Sequence, residues 1–373
     1  MANKKSTTKK ATATKTAPKT TDKIGWGIIG CGVIAPTHVA AVRDSGTANL
    51  VACCDIVPGK ASAFADKYAP GIRAYDSMEA MLNDPDIQAV SICTPSGLHA
   101  ECCIAVAEAG KHILCEKPLD VTLEAIDAAI AACKEHNVKL SGVFQRRTYG
   151  SSKKVREAVR TGKLGKLVIG DAYQKYFRSH EYYASGAWRA TWDLDGGGAL
   201  MNQGVHGIDL LLYLMGDVKR LSAYARRLVR NIEVEDTAVA ILEFVNGAVG
   251  VIEGTTSVTP GYGCRIEISG DNGTIVLDED KITKWDIPGQ DSEADAAGGG
   301  VGTAADPTAV TASGHTAHVI DLCGAIREDR EPEIPGSEAR RAVEVIKAIY
   351  KSSREGGSTI ELPLSYCDDG PGI

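Results

Sequence analysis

Between Ile24 and about Gln145, short apolar runs alternate with stretches of helical periodicity, and few architectures accept that pattern. The runs IGWGIIG (24–30), ANLVACCDI (48–56), AVSICT (89–94), HILCEK (112–117) and KLSGVF (139–144) read as strands. Helical patterns separate them at about 36–45, 58–68, 98–109 and 122–136, the last opened by Thr122 as a cap with Glu124 in its first turn. Strands that are apolar throughout, rather than at every second position, belong to a parallel sheet covered on both faces. This part of the chain is therefore expected to be a doubly wound α/β domain.

After about Arg146 the texture changes. A helix is expected at 151–161, then strand-like segments at 167–177, 218–230, 236–245, 248–257, 263–269 and 273–277, interrupted by one helix around 199–215. Asn246-Gly247 and Asp271-Asn272-Gly273 lie between consecutive runs and signal hairpins, so this sheet is expected to be mainly antiparallel and open. Residues 288–314, rich in Gly, Ala, Asp and Thr, read as a long loop, and helical patterns return at 316–329 and 337–354. His315 and His318 are expected to cap or flank the helix that follows them.

A chain of 373 residues exceeds the ~250–300 at which a single core stops growing, which supports two domains. The expected division is a disordered Lys/Thr/Ala-rich tail at 1–23, a nucleotide domain at 24–145 and a substrate and assembly domain at 146–373. The tail lacks the apolar stretch of a secretory signal. It carries a net charge of +6, which leaves −13 on the remainder and argues against nucleic acid as the main partner. No apolar run approaches the ~20 residues of a membrane span. The 11 cysteines include no Cys-x-x-Cys, and the adjacent pairs Cys53–Cys54 and Cys102–Cys103 sit in apolar segments. A reducing compartment, the cytoplasm, is expected, with neither disulfides nor a bound metal.

Gly30-Cys31-Gly32-Val33-Ile34-Ala35 follows the first strand and opens a helix. In such a turn Gly30 permits the bend, Gly32 admits a pyrophosphate to the backbone and Ala35 allows close helix packing, while Pro36 suits the first helical turn. Asp55 ends the second strand 20 residues after Ala35, where a carboxylate binds ribose hydroxyls. That context points to a Rossmann dinucleotide site built on Gly30, Gly32, Val33, Ile34 and Asp55. Asp55 would repel a 2′-phosphate, and Ile56 and Val57 offer no arginine to bind one, so NAD is expected rather than NADP. Thr94, Pro95 and His99 end one strand and Glu116-Lys117-Pro118 the next, where such sheets bind their ligands.

In the second half, GGGALMNQGVHGID leads into an apolar helix and places Asn202, His206 and Asp209 at i, i+4 and i+7, on one helical face. The segment Tyr182–Trp192 is dense in aromatics and contains Arg189. It reads equally as a sugar-binding loop, with Arg189 on a hydroxyl or an anionic group, and as a loop packed by its own rings.

The G-x-G-x-x-A turn, Glu116-Lys117-Pro118 and GGGALMNQGVHGIDLLLYLMG together resemble the glucose–fructose oxidoreductase / inositol dehydrogenase (Gfo/Idh/MocA) family, over essentially all of residues 24–363. The resemblance implies a Rossmann domain followed by an α/β domain whose open sheet mediates homo-oligomers, dimers or tetramers. It implies that Lys117 is the active-site lysine and His206 the catalytic histidine. Asn202 stands where many members have aspartate; an amide orients its neighbour but takes up no proton. The expected reaction is NAD-dependent oxidation of a secondary hydroxyl on a sugar, sugar derivative or cyclitol, with Lys117, Asn202, His206 and Arg189 on the substrate. His206 as base with Lys117 on the alkoxide, and Lys117 as base with His206 positioning, both satisfy the pattern. An NAD-dependent glycosidase acting by transient oxidation and elimination, and a non-catalytic NAD-binding regulator, are the alternative functions.

Overall fold

The computed structural model describes residues 23–295, 312–366, 370 and 372–373. The expected tail, apart from Lys23, and most of the expected long loop lie outside the described residues; 288–295 carry no helix or strand.

The first half is the doubly wound sheet. Strands β1 (Ile24–Ile29), β2 (Ala48–Cys54), β3 (Arg73–Tyr75), β4 (Ala89–Ile92), β5 (His112–Cys115) and β6 (Leu140–Gly142) run parallel in the order β3-β2-β1-β4-β5-β6. Helices α1 (Ala35–Ser45), α2 (Lys60–Tyr68), α3 (Met78–Leu82), α4 (His99–Glu108) and α5 (Leu123–Glu135) connect them. All of β1 and β4 is buried, as their unbroken apolar runs require. Thr122 does cap α5, accepting from Ala125 N at 3.2 Å. The edge strand β3 and the short α3 are not legible in the sequence because a three-residue strand with two residues exposed and a five-residue helix leave too little periodicity. Strand order reverses between β1 and β4, which opens a crevice at their C-terminal ends.

After α6 (Gly150–Arg160) come β7 (Leu167–Lys175), α7 (His180–Ala184) and α8 (Val205–Met215). They are followed by β8 (Val218–Arg226), β9 (Thr237–Phe244), β10 (Val249–Thr255), β11 (Cys264–Gly270), β12 (Gly273–Asp278) and β13 (Lys281–Asp286). Helices α9 (Ser313–Glu328) and α10 (Gly336–Arg354) precede a short β14 (Ile360–Glu361). The second sheet is ordered β13-β12-β11-β7-β10-β9-β8-β14 and is antiparallel except between β7 and β10. Both expected hairpins form. Asn246 Oδ1 accepts from Ala248 N at 2.9 Å and Gly247 takes the left-handed φ of 87° that the tight turn demands. Helices α8 and α10 cover one face of this sheet. Among the described residues the other face is uncovered and partly apolar: Val239 is 46%, Ile241 62% and Val249 51% exposed.

Helix α9 does not stay with the second sheet. Its stripe Val319, Leu322 and Cys323 is buried against Trp26, Val42 and Leu114 of the first sheet and α1. It begins at Ser313, so His315 and His318 are not flanking residues: both are inside the helix and buried. Burial pushes the His318 imidazole down to about 3. Ten of the cysteines are described, all buried with free thiols. Among the described residues no helix is long and apolar enough to cross a membrane.

Candidate active site

The glycine turn is shaped by sterics. Gly30 holds φ 89°, and a Cβ there would lie 2.8 Å from the Cys93 carbonyl oxygen, so a larger residue would push β1 from β4. A Cβ on Gly32 would meet nothing nearer than 3.9 Å, which leaves open space above the turn and beside the N-terminus of α1. Val33 and Ile34 border that space, Val33 being largely exposed. Asp55, at the end of β2, accepts from Cys31 N at 2.9 Å and Val57 N at 3.0 Å, and Lys60 Nζ lies 2.7 Å from its Oδ2. Burial raises the Asp55 pKa, but the Lys60 contact and the two backbone donors outweigh it and leave the carboxyl below its ordinary value. Lys60 is a partner the sequence reading did not notice.

The ends of β4 and β5 form the next wall. Thr94 and Pro95 are half-buried at its lip. His99 is buried, its Nδ1 2.6 Å from the Pro118 carbonyl and its Nε2 2.9 Å from that of Thr94. The ring is thus wedged between the carbonyls of the two strand ends, its N–H donating to one of them, which sets His99 beneath the crevice. Glu116 is also turned inward: Oε1 receives His38 Nε2 at 2.9 Å and His315 Nε2 at 3.0 Å. Against burial, which raises it, these hydrogen bonds hold Glu116 well below the usual carboxylate range. His38 Nδ1 continues the chain to Ser91 Oγ at 2.9 Å, and Ser91 Oγ accepts from Trp26 Nε1 at 2.9 Å. The ligand atoms of His38, Glu116 and His315 lie within 4.8 Å of one another, and their mutual hydrogen bonds account for that closeness.

Lys117 points the other way, into the crevice. Its Nζ donates to the backbone carbonyl of Asn202 at 2.7 Å, which joins the two lobes across the site. Burial lowers the Lys117 pKa, while Glu116 and Asp195 support its charge and Arg189 and Arg178 oppose it.

Asn202 lies in a π-helical turn, Ala199–Gly204, that leads into α8. Three glycines fold this approach. Gly196 and Gly197 have φ 74° and 156°, and a Cβ on Gly198 would overlap the Glu235 carbonyl oxygen. The buried Glu235 side chain holds the turn's unpaired amides, accepting from Gly198 N and Leu200 N at 2.9 Å each and from Tyr350 OH at 2.8 Å. Burial pushes its carboxyl up to about 7.

Because of the π turn, the expected stripe of Asn202, His206 and Asp209 is not one functional face. Asp209 is fully buried and paired with Arg147, Oδ2 to Nε at 2.8 Å and Oδ1 to Nη2 at 2.6 Å, an anchor rather than a site residue. His206 is half-buried beside the Phe144 ring, with Nε2 3.5 Å from Gln145 Nε2. Its Nδ1 is buried and has no hydrogen-bond partner among the described residues. Burial first, then the charges of Lys117 and Arg146, hold its pKa well below the ordinary 6.5. The imidazole is therefore neutral at physiological pH, with a lower pKa than the sequence alone suggested.

Arg189 and the aromatic loop sit at the mouth. Arg189 Nη1 donates to Tyr182 OH at 2.8 Å, and its guanidinium lies 4.4 Å from the Tyr182 ring centroid and 4.6 Å from that of Trp188. Gln203 Nε2 reaches the same hydroxyl at 2.8 Å and Asn202 Oδ1 at 2.5 Å, while its Oε1 accepts from Arg178 Nε at 3.1 Å and Nη2 at 2.7 Å. The loop is packed by its own rings, and its Arg189, with Arg178 from the segment between β7 and α7, brings two guanidinium groups close enough to act on the Lys117 charge. Arg178, Gln203, Gln145, Asp195 and His38 are not singled out by the sequence, and His315 reads there only as a cap or flank of its helix. Only Asp195, directly before the three glycines, carried a local signal.

A parallel sheet with this turn at its switch point holds a dinucleotide, and the class is that of NAD-binding oxidoreductases. Residues 24–144 match the family model described as oxidoreductase family, NAD-binding Rossmann fold, and residues 152–276 match the GFO/IDH/MocA C-terminal domain. The chain belongs to this GFO/IDH/MocA family. It is 32% identical over 267 residues to the myo-inositol 2-dehydrogenase of Thermotoga maritima, covering 69% of this chain and 76% of that protein. It is 31% identical over 277 residues to the uncharacterized oxidoreductase YrbE of Bacillus subtilis, covering 72% and 77% respectively. Among solved structures, the WlbA dehydrogenase of Bordetella pertussis in complex with NADH and UDP-GlcNAcA superposes with a TM-score of 0.82. That likeness is at 34% identity and covers 92% of this chain and 100% of WlbA.

Proposed function

We propose that the protein interconverts a secondary ring hydroxyl and the corresponding ketone on a sugar, sugar derivative or cyclitol. The observation that carries this reading is the Lys117 ammonium held 2.7 Å from the Asn202 carbonyl, four residues before a neutral His206, at the strand ends beside the glycine turn. The turn fits the dinucleotide: the space above Gly32 would take the pyrophosphate and Asp55 the ribose, with Thr94, Pro95 and Lys117 toward the nicotinamide and Glu116 turned away behind them. Bound NAD supplies the acceptor for the hydride that leaves the carbinol carbon. His206 Nε2 takes the hydroxyl proton, and Lys117 Nζ donates to the same oxygen as negative charge develops there. Residues 24–145 serve the cofactor and 146–373 the substrate in this reading, and Arg189 and Asn202 flank the substrate's entry.

The named ligands of the two relatives, a nucleotide-linked sugar acid and a cyclitol, share ring hydroxyls, and that shared feature supports the substrate class. Incubating the purified protein with NAD and a panel of free sugars, cyclitols and nucleotide sugars, and following reduced nicotinamide by absorbance, tests it. Reduction with at least one ring polyol is expected. Tight NAD binding with no reduction by any member would refute the reading.

Cofactor choice follows from Asp55. Fluorescence titration should give tighter binding of NADH than of NADPH, because the ionised carboxylate repels a 2′-phosphate. In Asp55→Ser the Lys60 ammonium is released from its partner, and the preference should invert. Equal affinities in both proteins would remove Asp55 as the discriminator.

The bare face of the second sheet, centred on Val239, Ile241 and Val249, is the surface we assign to a second copy of the chain. Sedimentation at micromolar concentration should show a dimer or tetramer, and Ile241→Glu should dissociate it. A monomeric wild-type protein would overturn the assignment.

A further inference from the structure

Asn202 carries an amide where a proton acceptor would help the lysine, yet a carboxylate lies one hydrogen bond further on. Asn202 Nδ2 donates to Asp195 Oδ1 in a short contact, and Asp195 Oδ2 accepts from Ala190 N at 2.7 Å. The loop is built around this carboxylate. Ala190 takes a left-handed φ of 56°, and Asp195 N and Gly196 N both donate to the Thr191 carbonyl, at 3.1 and 3.0 Å. It is also pinned to the first lobe. Gly97 N donates to the Leu194 carbonyl at 3.0 Å, and a Cβ on Gly97 would overlap the Asp193 carbonyl oxygen. Asp195 is 2% exposed, a costly place for a carboxylate unless a positive charge lies close by.

We propose that Asp195 is the positioning residue for Lys117: it fixes Asn202, whose backbone carbonyl receives the ammonium, and supplies the negative charge that keeps that ammonium protonated. This deepens the reading of Lys117 as the group that meets the developing alkoxide, and rests on it. Burial pushes the Asp195 carboxyl up to about 6, with Asn202, Ala190 N, Lys117 and Arg189 opposing the rise, so it is mostly ionised at neutral pH. The charged and titratable groups that face the pair are Glu116 from the end of β5, Arg178 from the segment between β7 and α7, Arg189 from the aromatic loop, His206 from α8, Tyr182 and Tyr183 from α7, and Tyr350 from α10. Of the two carboxylates that support the lysine's charge, Glu116 is already shared between His38 and His315. Asp195 is the one tied by a hydrogen bond to Asn202, the residue that receives the ammonium, and its removal weakens the support against the two guanidinium groups.

The test reads Lys117 directly, without substrate or cofactor. Its rate of reaction with acetic anhydride, resolved by mass spectrometry, is followed against pH in the nucleotide-free protein. Asp195→Asn should move the midpoint down by about one pH unit, the loss of one close opposite charge. The exchange Asp195→Asn with Asn202→Asp keeps the hydrogen bond, returns the carboxylate to the other side of it, and should restore the midpoint. Asp195→Ser also removes the charge and should lower the midpoint likewise, which keeps the test open if Asp195→Asn fails to fold. With a working substrate, kcat in Asp195→Asn should fall about tenfold at alkaline pH, where the lysine is lost earlier, and recover in the exchanged pair. An unmoved midpoint in a folded Asp195→Asn or Asp195→Ser protein, or an exchange that restores nothing, overturns the proposal. If no ring polyol is ever oxidised, the functional reading falls while the lysine titration still decides the part played by Asp195.

Discussion

Replacing Lys117 by Met is expected to lower turnover roughly 10²–10³-fold, the loss that follows removal of one preorganised donor to a developing oxyanion. Methionine keeps most of the volume but offers no proton to the alkoxide, and it leaves the Asn202 carbonyl without the donor it now has at 2.7 Å. Nucleotide binding should survive, because the glycine turn and Asp55 are untouched; calorimetry separates the two effects. A second signature follows. Lys117 is one of the charges that depress the His206 pKa, so its removal lets that pKa rise. The residual activity of Lys117→Met should therefore fall away on the acid side at a higher pH than in the wild type. Turnover near the wild-type value would dismiss Lys117 from the chemistry.

His206→Ala should cost about 10²–10⁴-fold in kcat, the usual contribution of a positioned general base. The base works when deprotonated, and burial with two neighbouring cations holds its pKa well below 6.5. As pH falls, wild-type activity should thus persist through the ordinary histidine range and decline only below it. On the alkaline side, the lowered Lys117 pKa should bring the decline in below the ordinary lysine value of 10.5. In His206→Ala the acid limb should vanish while the alkaline limb stays. An acid limb that survives the substitution would make Lys117 the base, the other assignment the sequence left open.

What was legible in the sequence was what depends on neighbours along the chain. The glycine turn, Asp55 after the second strand, Lys117 after the fifth and the hairpin at Asn246-Gly247 are local patterns with local causes. Asn202, His206 and Asp209 misled because a spacing of four and three assumes an uninterrupted α-helix. The π turn at Ala199–Gly204 displaces the first of them, and Arg147, 62 residues before Asp209, claims the last. His38, Glu116 and His315 meet only because α9 crosses back to the first lobe, and no spacing rule spans 199 residues. Asp195 reaches Asn202 because three glycines let the loop fold under it. A lone aspartate before a glycine run reads as an ordinary turn residue until that fold is seen.

The return of α9 also bears on how the molecule is made. Trp26, Val42 and Leu114 complete their apolar contacts with a helix that begins at Ser313, so the nucleotide lobe remains unfinished on the ribosome until most of the polypeptide has emerged. A fragment ending near residue 145 would expose that surface to water and leave Glu116 without one of its two imidazoles. The half that binds the dinucleotide is translated first, yet its core closes only when a helix from beyond residue 312 reaches it.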